Sequence, residues 1–260
     1  MAGNEIDIAK YLIENIGKIT LNHIGLVTEV GAPNSKGGYT KVNSIEELAL
    51  ISTEDAGKKA DIYINGHGVS LKQSGASFPF NRLQRSELLA VFSALNFADP
   101  DAKLARIDSE IDQFHGGLIK NRNRPWQNLF EEDDFKLLVQ FLMTQGSPNL
   151  GVSSHPAEFI VEAPKNGIAQ QNINVFTFEE YFEYFKENLF FALRRQWIGQ
   201  SSKSEHGRAV GLAKKEGNKR WIYDTISGEP RVSKTTGTKW RDDVPENERR
   251  TVYIIFVEKT

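Results

Sequence analysis

Apolar positions along this chain recur with two periods, and the change of period marks out its elements. Ile6, Ala9, Leu12, Ile13 and Ile16 follow Asn4 at helical spacing and stop at Gly17, which predicts an amphipathic helix of about three turns. Residues 19–30 alternate loosely, as a strand does, and the turn-rich run 31–38 reads as a flexible loop. Ser44 with Glu47 three residues later is a capping box, opening a short helix through Ile51. Further helical patterns run through Leu88, Leu89, Phe92 and Leu95, across 99–119, and across 131–145. Residues 157–162 read as a strand. Thr177 with Glu180 predicts the start of a long helix, 177–197, whose many aromatic residues are expected to pack as core. The remainder predicts strands at 208–213, 219–225 and 251–258, with loops at 201–208 and 233–241.

The sharpest local signal lies at residues 59–73. Two short runs rich in β-branched and aromatic residues flank Asn65-Gly66, a pair in which both positions accept positive φ, so strands at about 60–64 and 69–73 form a tight hairpin. Strand side chains repeat every two residues. Ser70 and Lys72 therefore share a face, and Asp61 lies across from them. An acid, a hydroxyl and an ammonium are expected to meet at one place on a sheet.

Composition narrows the classes open to the chain. Its 260 residues suffice for one large domain or a core with a smaller lobe, here drawn as 1–150 and 151–260. The absence of cysteine removes disulfides, Cys-based zinc sites and thiol nucleophiles, and fits a reducing cytoplasm. No basic leader and no long apolar run appears, so neither export nor membrane insertion is expected. The net charge of −2 hides an asymmetry. From Arg194 onward, fifteen Lys and Arg face nine Asp and Glu, so a polyanion would be held there.

Several chemistries find no motif. The five histidines show no metal-ligand spacing, and neither a phosphate-binding loop ending in Gly-Lys-Ser/Thr nor a Gly-x-Ser-x-Gly elbow is present.

An Asp on one strand and an acid-x-Lys on the next is the signature of the PD-(D/E)XK nuclease superfamily. Asp61 with Ser70-Leu71-Lys72 resembles a variant in which Ser70 stands in place of the usual acid, and within that superfamily the chain most resembles a type II restriction endonuclease. The resemblance implies an α/β (α+β) fold, a mixed β-sheet flanked by helices forming a restriction-endonuclease-like core, with a β-rich C-terminal lobe for recognition. It also implies Mg²⁺, with Mn²⁺ as a substitute, and Asp61, Ser70 and Lys72 as catalytic residues. Asp61 would bind the ion directly, the Leu71 carbonyl would complete the site, and Lys72 would orient or activate the attacking water. A hydroxyl is a poor Mg²⁺ ligand. Hence either a second carboxylate comes from elsewhere or Ser70 works through water in the ion's outer shell. Glu47, on the helix before the hairpin, is the chosen donor, with Glu46, Glu54 and Asp55 beside it as candidates and plain helix capping as the competing role.

Double-stranded DNA is the implied partner, contacted by Gln73, Ser74, Asn81, Arg82 and Arg85 after the hairpin, by Arg122 and Arg124 in a basic patch, and by Lys203, His206, Arg208, Lys234, Lys239 and Arg241 in the basic C-terminal part. Each group also reads as ordinary loop. A cognate methyltransferase is the companion such an enzyme implies, and a homodimer matching a palindromic site stands beside a monomer. A repair or structure-specific nuclease of the same superfamily, or a non-catalytic DNA-binding protein, are the alternatives.

Overall fold

The hairpin forms where the sequence predicts it, and a sheet grows on both sides of it. The computed structural model describes residues 4–51, 57–75, 78–79, 82–224, 228, 230 and 240–260. Among these the principal helices are α1 (Asn4–Glu14), α2 (Ile45–Ile51), α3 (Arg85–Ala94), α4 (Pro100–His115), α5 (Glu132–Gln140), α6 (Phe178–Phe185) and α7 (Lys203–Ala213). The principal strands are β1 (Val30–Pro33), β2 (Tyr39–Val42), β3 (Ile62–Ile64), β4 (His67–Gln73), β5 (Asn123–Pro125), β6 (Phe159–Ala163), β7 (Asn174–Phe176), β8 (Leu189–Ile198), β9 (Ile222–Tyr223) and β10 (Arg250–Lys259). The molecule is a mixed α/β protein. No helix among the described residues is long and apolar enough to cross a membrane.

The chain divides into two units that exchange segments. One comprises residues 1–78, 136–188 and 259–260, the other 79–135 and 189–258. The expected division at residue 150 does not coincide with this, because residues 136–188 and 259–260 make their contacts with the N-terminal part.

The first unit is built on a six-stranded sheet of order β7-β6-β4-β3-β1-β2. β4 and β6 run parallel, with Ser70 opposite Ile160 and Lys72 opposite Glu162, and the other neighbours are antiparallel. Alternation gives the central strands two unlike faces. Ile62, Ile64, Val69, Leu71, Val161 and Ala163 form one apolar face, which Ile8, Leu12 and Ile13 of α1 and Leu48 of α2 cover. Ser70, Lys72 and Glu162 lie on the other, where α6 contributes Tyr181.

Asn65 and Gly66 take φ of 51° and 88°, the left-handed pair a two-residue hairpin turn requires. Asn65 is also a splice. Its Oδ1 accepts from the Thr28 N–H at 2.8 Å and its Nδ2 donates to the Leu26 carbonyl at 2.7 Å, fixing the turn to the segment before β1. Part of the expected 31–38 loop is strand, since Val30–Pro33 pairs with both β2 and β3.

In the second unit the sheet order is β9-β10-β8-β5. Ala209 and Leu212 of α7 pack on Val252 and Ile254, while Phe114 of α4 meets Tyr253, which points the other way along β10. Three expectations fail here. The helix begun at Thr177 ends at Phe185, and Leu189–Ile198 is a ten-residue strand. Its nearly continuous apolar start conceals its period, and such runs fit strand and helix alike. Conversely, the expected 201–208 loop and 208–213 strand form α7, whose first turn is capped by Ser202 accepting from the Glu205 N–H. Gly207 and Gly211 weaken the helical pattern without preventing the helix. Finally, of the expected 219–225 strand, residues 219–221 belong to a 3₁₀ turn, Glu216–Trp221, two residues form β9, and residue 225 lies outside the described residues.

A Cβ on Gly68 would stand 2.3 Å from the Pro156 carbonyl oxygen, backbone that cannot swing aside. Gly68→Ala is expected to lower unfolding free energy by about 1–3 kcal/mol, measured by urea titration. Glu162 and Lys259, each 3 % exposed, form an ion pair at 2.7 Å, joined by the Tyr181 hydroxyl. Glu162→Ala removes the carboxylate that balances a buried ammonium and should cost about 3–5 kcal/mol, whereas the apolar pair Glu162→Leu/Lys259→Met should cost markedly less.

Candidate active site

The polar side chains of the hairpin gather where β3 and β4 part. The last rungs between them pair Ile62 with Val69, and the Asp61 N–H donates to the Val69 carbonyl at 2.8 Å. Upstream, the N–H groups of Lys59 and Ala60 both donate to the His155 carbonyl, each at 2.9 Å, so the chain is drawn away from β4. On that side the N–H and C=O of Leu71 have lost their strand neighbour. A buried peptide group without a partner is costly. Two side chains take its place: Asp61 Oδ2 accepts from the Leu71 N–H at 2.8 Å, and Lys72 Nζ donates to the Leu71 carbonyl at 2.9 Å.

The three expected residues therefore do meet. Lys72 Nζ lies 3.9 Å from Asp61 Oδ2, with side chains 20 % and 19 % exposed respectively, and the Ser70 hydroxyl donates to the same carboxylate oxygen at 3.5 Å. Asp61 Oδ1 has no hydrogen-bond partner among the described residues. The site thus offers one unpartnered carboxylate oxygen, and beside it a carbonyl oxygen that accepts from a cation.

Lys59 is a neighbour that sequence reasoning did not find. It is 9 % exposed and its Nζ donates to the Leu142 carbonyl at 2.7 Å. Burial, then the charge of Lys72, lowers its pKa to about 8 against a smaller opposing pull from Asp61. Nothing in its local sequence signals this, because the carbonyl that holds it lies 83 residues away.

Glu47 does not join the site. Its carboxylate accepts from the Asn43 N–H at 2.8 Å, its N–H is capped by Ser44, and α2 packs on the apolar face of the sheet, opposite Ser70 and Lys72. It closes the capping box instead. Glu46 shares that helix, and Glu54 and Asp55 lie outside the described residues. The acid nearest Lys72 in register is Glu162, committed to Lys259. Among the described residues no three His, Asp or Glu side chains converge to hold an ion by themselves.

The fit to Mg²⁺ rests on donor chemistry. Both available protein oxygens are hard donors, and Mg²⁺ commonly keeps several waters while using one or two carboxylates together with a substrate phosphate. The residues suit an ion held jointly with substrate and would hold it weakly alone.

The expected DNA contacts separate into groups. Gln73 ends β4 and Ser74 donates its N–H to the Ala163 carbonyl, both in the unit that holds Asp61. In the other unit, Arg82 and Arg208 lie near each other, and burial followed by the Arg208 charge lowers the Arg82 pKa. Arg85 is committed to Asp108, Arg124 to Glu110 and Arg241 to Asp243. His206 Nδ1 accepts the Gly199 N–H, Lys203 is exposed at the start of α7, and Arg122 lines a cavity beside β8. Asn81, Lys234 and Lys239 lie outside the described residues.

Comparison of the chain with protein-family models, with curated proteins and with solved structures returned no match to any of them.

The Lys59 environment makes stability depend on pH. Between about pH 8 and pH 10.5 the folded state has released the proton and the unfolded state still binds it, so stability rises with pH. The gain should approach about 3 kcal/mol at most in chelator-containing buffer, read from urea midpoints at successive pH values. Lys59→Met should flatten that rise.

Proposed function

We propose that this protein is a Mg²⁺-dependent endonuclease of double-stranded DNA, built on a restriction-endonuclease-like core and acting at a specific sequence. The observation that carries the reading is the convergence of Asp61 and Lys72 on the Leu71 peptide where the hairpin strands part. Bound there, Mg²⁺ would polarise a phosphoryl oxygen and make water more acidic, the chemistry phosphodiester hydrolysis needs.

The chain's own groups would divide the rest of the work. Asp61 Oδ1 and the Leu71 carbonyl would hold the ion. Lys72 would then have to give up the Leu71 carbonyl, and its ammonium would be available to orient the attacking water and offset the added negative charge. Ser70 has its hydroxyl on Asp61 and would keep that carboxylate oriented. The basic excess after Arg194 supports a polyanionic substrate.

The test is digestion of phage DNA by the purified protein with Mg²⁺ or Mn²⁺. Discrete bands are expected, and Asp61→Ala or Lys72→Ala should each slow cleavage by about 10²–10³-fold or more while leaving circular dichroism and DNA binding in place. Undiminished cleavage by either variant overturns the assignment of these residues. A wild type that binds duplex DNA and never cuts it supports a non-catalytic binding protein.

A further inference from the structure

Asp61 is placed by a chain of bonds that starts outside its own hairpin. Its N–H still reaches the Val69 carbonyl at 2.8 Å, whereas the two residues before it give their N–H groups to one acceptor, the His155 carbonyl, each at 2.9 Å. A carbonyl oxygen has two lone pairs, so a single peptide can anchor both donors. That shared acceptor sets the line along which the chain leaves β4. It thereby sets where the Asp61 carboxylate stands relative to the Leu71 N–H, from which it accepts at 2.8 Å.

The His155 side chain is what fixes this carbonyl. The residue is 2 % exposed, and both ring nitrogens are engaged: Nε2 lies 2.8 Å from the Asn34 carbonyl oxygen and Nδ1 lies 3.0 Å from the Tyr63 hydroxyl. A carbonyl only accepts, so Nε2 carries a proton and donates it. In the neutral ring Nδ1 is then bare and accepts from the Tyr63 O–H. The backbone on either side is restrained as well, by the His155 N–H donating to Ser153 Oγ at 3.1 Å and by the fixed φ of Pro156.

Both ring partners are themselves held. Tyr63 stacks on Tyr39 with ring centroids 4.8 Å apart, and the Asn34 N–H donates to the Gly38 carbonyl at 2.9 Å, closing the turn between β1 and β2. Ile62 and Ile64 belong to the apolar layer, so Tyr63 lies on the opposite face, the one that Asp61 shares two residues earlier. The imidazole thus ties the Asp61 face of β3 to the β1–β2 turn, while the carbonyl of the same residue draws the chain before Asp61 aside. A buried polar group that loses its partner is costly, so removing the ring favours any backbone shift that finds the Tyr63 hydroxyl and the Asn34 carbonyl new partners.

We propose that His155 is a positioning residue for the reaction at Asp61: its ring, held by Asn34 and Tyr63, sets the carbonyl that parts β3 from β4 and so aims the Asp61 carboxylate. The catalytic consequence rests on the nuclease reading. The aiming itself is read at the Leu71 N–H, apart from any cleavage.

The test uses His155→Leu in the full chain, with Tyr63→Phe as a second variant that deletes one hydroxyl and keeps the ring packing. With leucine ¹⁵N-labelled, the ¹H–¹⁵N signal displaced most by Asp61→Asn marks the Leu71 N–H. Both variants should move that signal, and His155→Leu should speed its hydrogen exchange by about 10-fold or more. In digestion of phage DNA, His155→Leu should lower kcat by about 10–100-fold with KM for DNA unchanged, and added Mg²⁺ should restore part of the rate, since a misaimed carboxylate holds the ion more weakly. Variants that lose stability in urea yet keep the Leu71 signal, its exchange rate and kcat would overturn the proposal and leave the nuclease reading intact. A displaced Leu71 signal in a protein that never cuts DNA would keep His155 as the residue that aims Asp61 and remove the nuclease reading instead.

Discussion

The first unit depends on how a sheet disposes of a peptide group that has lost its neighbour. β3 leaves β4 after one tight turn, because Lys59 and Ala60 are held by the His155 carbonyl, and the Leu71 peptide is left facing a gap. A water molecule or another strand could fill such a gap. Here a carboxylate and an ammonium do so, and they remain about one-fifth exposed. The same two bonds that complete the backbone also bring opposite charges together at the sheet's edge of pairing. Packing and chemistry are therefore not separable at this point.

The two faces of that sheet show how the arrangement is sustained. Leu71 and its neighbours bury one face beneath α1 and α2, which fixes the strand and sets Ser70 and Lys72 on the opposite face. Glu162 continues this polar face onto β6, where Lys259, 3.4 Å from the centre of the Phe185 ring, neutralises it. A charge on a central parallel strand is tolerated because each of its partners is positioned by a different element.

Much of this was legible in residues whose signals are local. Asn65-Gly66 fixed the turn, alternation placed Asp61, Ser70 and Lys72 together, and Thr177 with Glu180 marked the start of α6. What escaped was non-local or disguised. Glu47 has capping as its local role and metal binding only as what the resemblance implies, and the placement of α2 against the apolar face leaves it with capping. The run from Leu189 is apolar enough to suit either period, which is why β8 reads as helix in the sequence. Gly207 and Gly211 obscured α7, although Ser202 with Glu205 was a start signal available to the eye. Lys59 and the Glu162–Lys259 pair depend on partners 83 and 97 residues distant, a separation that no local pattern encodes.

That last distance bears on how the molecule is made. Glu162 enters the first unit with its carboxylate destined for the interior, yet its counter-ion arrives 97 residues later, after the chain has passed through β8, α7 and β10. During synthesis the polar side of that sheet must stay hydrated, or be shielded, until Lys259 emerges. The first unit thus gains the counter-ion for its buried carboxylate only when Lys259 arrives.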